Sequence, residues 1–333
     1  MRILIVTPEQ AFATGNHVTA DRFCHGLLQR GHSVQVLATP QTPEPLIQAC
    51  RSFRPDLIHL LHAYRSGAPW LAASICHAIA TVVTLTGTDV NGGLDDPLQG
   101  PAIRSLFSRI QGIFSQNRLT VAALRQDFPE WARKIHFHPP GIRLGKTPYP
   151  LRESLGIAPD VPLFLHPAGL RPVKGNRELL YLMTPLLEKH PQARLVFCGP
   201  ILDAAYAENF FTELAHIPWA LHAGVIPPGA MPAAMLQSTV ILNNSLSEGL
   251  PNALVEAAAL GLPILARNIP GNAALFDGKI DGALYDNADS FLRHALSLLK
   301  RDALPRPCNR FSAESEAEHL EALYRSALQA SQT

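Results

Sequence analysis

The segment Ser245-Leu-Ser-Glu-Gly-Leu-Pro-Asn-Ala-Leu-Val-Glu256, continued by Ala257-Ala-Ala-Leu-Gly-Leu-Pro-Ile-Leu-Ala266, decides the fold. Leu250-Pro251 reads as a helix entry, because proline is preorganised for the first helical position and has no N–H to leave unpaired there. The small residues after Glu256 continue that helix, Gly261 stops it, and the apolar run at 263–266 reads as a short buried strand. Glu248 stands in the loop that feeds the helix, beside Gly249, where a backbone can approach a ligand closely. Glu256 is more than one turn in, on a rigid support.

Outward from this segment the chain repeats the same alternation. Residues 3–6, 33–37, 57–61, 81–85 and 112–115 read as short buried strands, with helical stretches at 17–30, 44–53, 69–80 and 119–128 between them. The second half gives strands at 162–166, 194–198, 240–243 and 263–266. Strands alternating with helices predict parallel sheets with helices on both faces. Pro139-Pro-Gly-Ile-Arg-Leu-Gly-Lys-Thr-Pro-Tyr-Pro150 is dense in breakers and reads as a linker. The fold class is therefore α/β, with two Rossmann-like domains at 1–145 and 150–308 whose strand ends face an interdomain cleft.

Bulk properties narrow the class. A chain of 333 residues suits two domains of ordinary size, and 47% hydrophobic residues supply their cores. A formal charge of +1 argues against nucleic acid as a partner. Met1-Arg-Ile-Leu-Ile-Val-Thr-Pro is a first strand ended by proline rather than a signal peptide, and no apolar run reaches the ~18 residues of a membrane span. Cys24, Cys50, Cys76, Cys198 and Cys308 show neither metal nor redox spacing and read as core thiols of a cytoplasmic protein.

Several residues can carry chemistry. Two carboxylates, Glu248 and Glu256, suit sugar hydroxyls, and the N–H groups at the helix start near Leu250 and Asn252 suit a phosphate. Together they imply a nucleotide-sugar pocket; the competing reading is a pair of solvated glutamates. Gly169-Leu-Arg-Pro-Val-Lys-Gly175 follows a strand and offers Arg171 and Lys174 to neutralise a departing diphosphate. Solvated loop cations are the alternative. His62-Ala-Tyr-Arg65 and Thr86-Gly-Thr-Asp89 follow strand ends, where open α/β sheets bind ligands; for His62 a structural histidine is the rival reading. Thr19, Asp21 and Arg22 read as helix-start and surface residues. Asp95-Asp96 sits in a polar loop without further ligands, so no metal is assigned there.

Glu248 to Glu256 resembles the E-x7-E motif of GT-B glycosyltransferases of family 4. With His62-Ala-Tyr-Arg-Ser-Gly67, Gly87-Thr-Asp-Val-Asn91, Gly169-Leu-Arg-Pro-Val-Lys174 and Ala266-Arg-Asn-Ile-Pro-Gly-Asn-Ala-Ala274, the chain is similar to the short glycosyltransferase-1-domain-containing members. The resemblance implies a retaining hexosyl transfer from a nucleotide sugar, UDP-sugar first among them, to a small soluble acceptor, with no metal or other cofactor. It implies Glu256 on the ribose, Glu248 on the sugar, and Gly15-Asn16 of the Ala13–Asn16 loop near the donor phosphate. It also implies Gly249, Leu250 and Asn252 at the donor, and the Val225 backbone at the nucleobase. His62, Arg65 and Asp89 fall at the acceptor, and a last helix at 312–330 completes the first domain. Three departures stand out: the family arginine position is Gly169 here, the histidine of the HGTD-type loop is Thr86, and the usual doubled glycine is Gly15-Asn16. A thio- or selenosugar synthase, a nucleotide-sugar epimerase and a non-catalytic nucleotide-sugar-binding protein are the alternatives. The oligomeric state is not encoded in any of these motifs.

Overall fold

The structure, a computed structural model, describes residues 1–8, 14–38, 42–276, 280–300 and 307–331. Ala13 of the amino-terminal loop lies outside them. Twelve strands are described: β1 Arg2–Thr7, β2 Ser33–Ala38, β3 Leu57–Leu61, β4 Ala80–Leu85, β5 Gly112–Ser115, β6 Ile135–Phe137, β7 Leu163–Pro167, β8 Arg194–Cys198, β9 Ala220–His222, β10 Val240–Asn243, β11 Ile264–Arg267 and β12 Gly282–Tyr285. They form two six-stranded sheets, ordered β2-β1-β3-β4-β5-β6 and β12-β11-β10-β7-β8-β9. Every described pairing is parallel. The strand order reverses between β1 and β3 in one sheet and between β7 and β10 in the other. Ligands of open α/β sheets bind outside the strands' carboxyl ends at such reversals.

The chain divides into two compact units. The first comprises Met1–Arg143, Glu248–Leu250 and Phe311–Thr333; the second comprises Leu144–Ser247 and Pro251–Arg310. The tripeptide Glu248–Leu250 thus packs with the first unit, although the strand before it and the helix after it belong to the second.

Sheets covered on both faces need strands that are apolar throughout. Ile3, Leu4, Ile5 and Val6 of β1 are wholly buried, as are Leu163, Phe164 and Leu165 of β7. The edge strand β2 is only half-buried. His59, at the centre of β3, is a wholly buried polar residue in the first core. Its Nδ1 meets Tyr324 Oη at 2.6 Å and its Nε2 meets Thr84 Oγ1 at 2.7 Å. Burial, reinforced by His138, pushes the His59 pKa down to about 3, so the ring is neutral.

Tyr324 belongs to the C-terminal helix Ala313–Ala330, which packs on the first sheet's core. Arg22 is a correction to the sequence reading: it is buried, and its Nε and Nη2 reach Glu316 of that helix at 2.6 and 3.0 Å. Gln116 Nε2 and the Gly141 N–H complete the carboxylate at 2.7 and 2.9 Å. A partner 294 residues away leaves no local trace.

Two further expectations change. The helix predicted at 69–80 is a short helix Gly67–Ala72 and a 3-10 turn Ser74–Ala78, because Ala80 already pairs with Leu57 in the β3–β4 ladder. Pro251 is the N-cap rather than the first helical residue: at φ −76 and ψ 113 it is extended, and Asn252–Leu260 forms the helix. The short strands β6 and β12 and the helices Gln99–Arg109 and Ala288–Leu299 were not anticipated.

Candidate functional site

In the first unit the loops after β3 and β4 are built around Asp89, which is wholly buried. Its Oδ1 accepts the N–H groups of Gly87 at 2.8 Å and Thr86 at 3.1 Å, and its Oδ2 accepts that of Ala63 at 2.8 Å. Three backbone donors on one carboxylate fix both loops at once. Asp89 therefore holds the two loops together from a buried position. His62 is buried at φ +78, in left-handed backbone uncommon for a side chain of this size. Its Nδ1 accepts the N–H groups of Tyr64 and Arg65, both at 3.2 Å, so the ring proton sits on Nε2, which faces Thr88 Oγ1 at 3.1 Å. The residue thus wraps the turn that presents Arg65, whose side chain is exposed.

The Glu248-Gly249 turn belongs to this same unit. Asn91 Nδ2 donates to the Glu248 carbonyl and Asn117 Nδ2 to the Gly249 carbonyl, each at 2.9 Å. Asn117 also caps the helix Arg118–Asp127, its Oδ1 accepting from Leu119 and Thr120. One carboxamide thus starts a helix and holds the turn. Gly15 and Asn16 open the helix Gly15–Gln29 behind the N-cap Thr14, and Gly15 is exposed.

In the second unit the loop after β7 runs through Arg171 into a 3-10 turn Pro172–Lys174, then reverses at Gly175 with φ +60. Gly175 packs on Asn244, the residue after β10: a Cβ at 175 would lie 2.6 Å from Asn244 Nδ2. Asn244 is wholly buried. Its Nδ2 donates to the Gly175 carbonyl at 2.7 Å, and its Oδ1 accepts from Arg267 Nη2 at 2.8 Å and from the Tyr285 hydroxyl. Burial holds that phenol well above its ordinary range. This hub ties the ends of β10, β11 and β12 to the loop carrying Lys174.

Arg171 is half-buried, and among the described residues its Nε has no hydrogen-bond partner. At Gly169 a Cβ would meet Leu202 Cδ1 at 2.6 Å and the Pro200 carbonyl at 3.1 Å. An arginine at the family position would have to displace Leu202, an exposed side chain. Glu256, half-buried on the helix Asn252–Leu260, lies within electrostatic reach of β8: burial first, and then the Glu256 carboxylate, push the Cys198 thiol up to about 12. Asn252 is the first residue of that helix. Val225 is exposed in the loop after β9, beside Gly224 at φ +74, whose carbonyl accepts the Gly199 N–H at 2.9 Å.

The structure thus gathers His62, Asp89, Glu248 and Gly249 in the first unit, and Arg171, Lys174, Asn252, Glu256 and Val225 at the carboxyl ends of the second sheet. Sequence reasoning missed Asn91, Asn117, Asn244 and Tyr285. Asn117 was open to discovery as a helix cap after a strand, and the polar run Asn243-Asn244-Ser245 as a strand's carboxyl end. Their partners were not. Asp96 Oδ1 accepts the N–H groups of Leu98 and Gln99, a turn at the start of the helix Gln99–Arg109. Among the described residues no three His, Cys, Asp or Glu side chains gather as a metal-ligand set, and no helix is long and apolar enough to cross a membrane.

Two six-stranded parallel Rossmann-like sheets, with polar loops concentrated at their carboxyl ends, define the GT-B fold. The chain belongs to the glycosyl transferases group 1, whose family model matches residues 150–316, half of its length. It is 26% identical over 318 residues to glycosyltransferase 1 domain-containing protein 1 of Xenopus tropicalis, covering 92% of this chain and 90% of that one. It is 24% identical over 283 residues to D-inositol 3-phosphate glycosyltransferase of Segniliparus rotundus, spanning 79% of this chain and 62% of the relative. Among solved structures, Anabaena Alr3699/HepE in complex with UDP-glucose superposes with a TM-score of 0.73 at 15% identity, covering 100% of this chain and 97% of that one. That likeness speaks to fold alone. As a member of this family, the protein is a nucleotide-sugar-dependent glycosyltransferase.

Proposed function

We propose that the protein transfers a hexose-type sugar from a UDP-sugar to a small, soluble acceptor in the cytoplasm, with retention of anomeric configuration and without a metal. Residues 150–308 hold the donor; residues 1–145, with the C-terminal helix, hold the acceptor. Glu256 binds the ribose hydroxyls, Glu248 binds the sugar hydroxyls, and the Val225 backbone meets the base. As the bond from the anomeric carbon to the diphosphate breaks, negative charge builds on the leaving oxygen. Arg171, Lys174 and the N–H groups near Leu250 and Asn252 neutralise it, with Gly15 and Asn16 at the phosphate. Removing one such preorganised contact costs about 10²–10³ in rate. His62 and Arg65 form the acceptor side, with Asp89 holding their loops.

The observation that carries this reading is that the family match contains Arg171, Lys174, Glu248 and Glu256 together. The buried Arg171 Nε supports it, since a buried donor calls for an acceptor such as a phosphate oxygen. The Anabaena protein bound to UDP-glucose supports the donor class. A panel of nucleotide sugars tests the proposal by thermal shift and by nucleotide release. A UDP-sugar is expected to raise the melting temperature most and to be slowly hydrolysed. If the panel produces neither effect, the proposal fails; a shift without nucleotide release in the presence of acceptor candidates marks a binding protein instead.

A further inference from the structure

Read along the sequence, the five cysteines are scattered. The fold brings two of them together: Cys50 Sγ and Cys76 Sγ lie 3.1 Å apart. Cys50 is in the last turn of the helix Glu44–Phe53, and Cys76 is in the 3-10 turn Ser74–Ala78. These elements precede β3 and β4, so the thiols sit at the amino ends of the strands whose carboxyl ends carry His62 and Asp89. Their surroundings are apolar, including Leu46, Ala49, Trp70 and Ala73. Cys76 is inaccessible and Cys50 is 6% exposed.

We propose that Cys50 and Cys76 form a reversible disulfide when the protein meets a peroxide-class oxidant, stapling the helix Glu44–Phe53 to the turn Ser74–Ala78. A disulfide has an S–S distance of about 2.03–2.05 Å, so the sulfurs need approach by only about 1 Å. The chemistry balances in two steps. One sulfur gives two electrons to hydrogen peroxide as the O–O bond breaks, leaving a sulfenic acid and one water. The second sulfur then attacks the first: the S–S bond forms, the S–OH bond breaks, and the hydroxyl leaves as water with the thiol's proton. A dithiol reductant reverses the result by exchange.

The cross-link closes a loop of more than two dozen residues, long enough for a marked gain in stability through the unfolded chain. Cys24 and Cys308 are half-buried thiols elsewhere in the chain and serve as internal competitors.

The experiment treats the purified full chain with hydrogen peroxide, then maps non-reduced peptides by mass spectrometry and follows the melting temperature. The expected result is a peptide pair joined through Cys50 and Cys76 with loss of two hydrogens. The melting temperature rises by roughly 5 °C, and dithiothreitol reverses both changes. A double variant, Cys24→Ser with Cys308→Ser, leaves the pair untouched and is expected to retain the whole response, whereas Cys50→Ser abolishes it. The proposal is overturned if Cys50 and Cys76 both remain open to alkylation after peroxide treatment and unfolding. It is equally overturned if they gain oxygen without a cross-link, or if the double variant loses the response.

Discussion

Gly87 and Gly249 meet backbone to backbone: a Cβ placed on Gly87 would lie 2.3 Å from the Gly249 amide nitrogen, and one on Gly249 would lie 2.7 Å from the Thr86 carbonyl carbon. The turn carrying Glu248 therefore rests directly on the loop that Asp89 shapes, and neither surface tolerates a side chain. Gly87 also adopts φ +122. We expect Gly87→Ala to lower both melting temperature and turnover. Gly31→Ala is the control, because Gly31 shares a positive φ of 80 with open space around its Cβ. That variant should cost about 1–2 kcal/mol of stability and leave kcat unchanged. Equal turnover losses in the two variants would show that the contact with Gly249 is irrelevant to catalysis.

Asn117 performs two tasks that substitutions can separate. Asn117→Ala removes both the helix cap, worth about 1 kcal/mol, and the donor to the Gly249 carbonyl. Asn117→Asp keeps a capping oxygen but sets a carboxylate against that carbonyl. The expected outcome is a near-normal melting temperature for Asn117→Asp with kcat/KM reduced roughly tenfold or more, since misplacing a reacting group is costly. Steady-state kinetics beside thermal melts decide it, and full activity in Asn117→Asp would reject the positioning role.

The Asn244 hub carries a similar expectation for the loop of Lys174. Asn244→Ala strands the Gly175 carbonyl, Arg267 and the Tyr285 hydroxyl, at a stability cost of about 1–3 kcal/mol. Turnover should fall much further than in Tyr285→Phe, which removes a single donor and leaves the Gly175 bond intact. Parallel kinetics on the two variants test this ranking, and the reverse order would contradict it.

Acid should destabilise the fold before its carboxylates titrate. Burial holds His59 at about 3 and His138 well below 6.5, and neither ring nitrogen of His138 has a hydrogen-bond partner among the described residues. The unfolded chain takes up these protons near pH 6.5 while the folded protein does not. Their contribution is thus fully present above about pH 6.5 and is lost as pH falls toward the folded values, about 1.4 kcal/mol per pH unit for each histidine. Half-buried His136 and His222 shift in the same direction. Denaturant melts at pH 7, 6 and 5 should show the decline. His138→Leu should make it shallower, and an unchanged slope would refute the assignment.

Much of the fold was legible because both sheets are parallel and covered on both faces. Their strands had to be short, largely apolar runs, and stretches such as Leu57–Leu61 and Arg194–Cys198 declared themselves. The three-residue β6 and the glycine-led β12 are too short to stand out from their neighbours. Residue type and local spacing were enough to single out Glu248, Glu256, Arg171 and Lys174 for the roles proposed above; what holds their loops was not legible. Asn117 and Gly249 are 132 residues apart, and Arg22 and Glu316 are 294, so only the folded chain pairs them. Arg22 illustrates the cost of local reading, since a charged residue on an exposed-looking helix turned out to be buried beside a carboxylate.

Calorimetric titration of UDP is the most direct test of a nucleotide-sugar site with Glu256 on the ribose. Glu256→Ala, checked by thermal melting for an intact fold, should weaken UDP binding about tenfold to a hundredfold, the scale of lost hydrogen bonds to a charged group. Wild-type affinity in a folded Glu256→Ala variant would show that Glu256 does not hold the ribose.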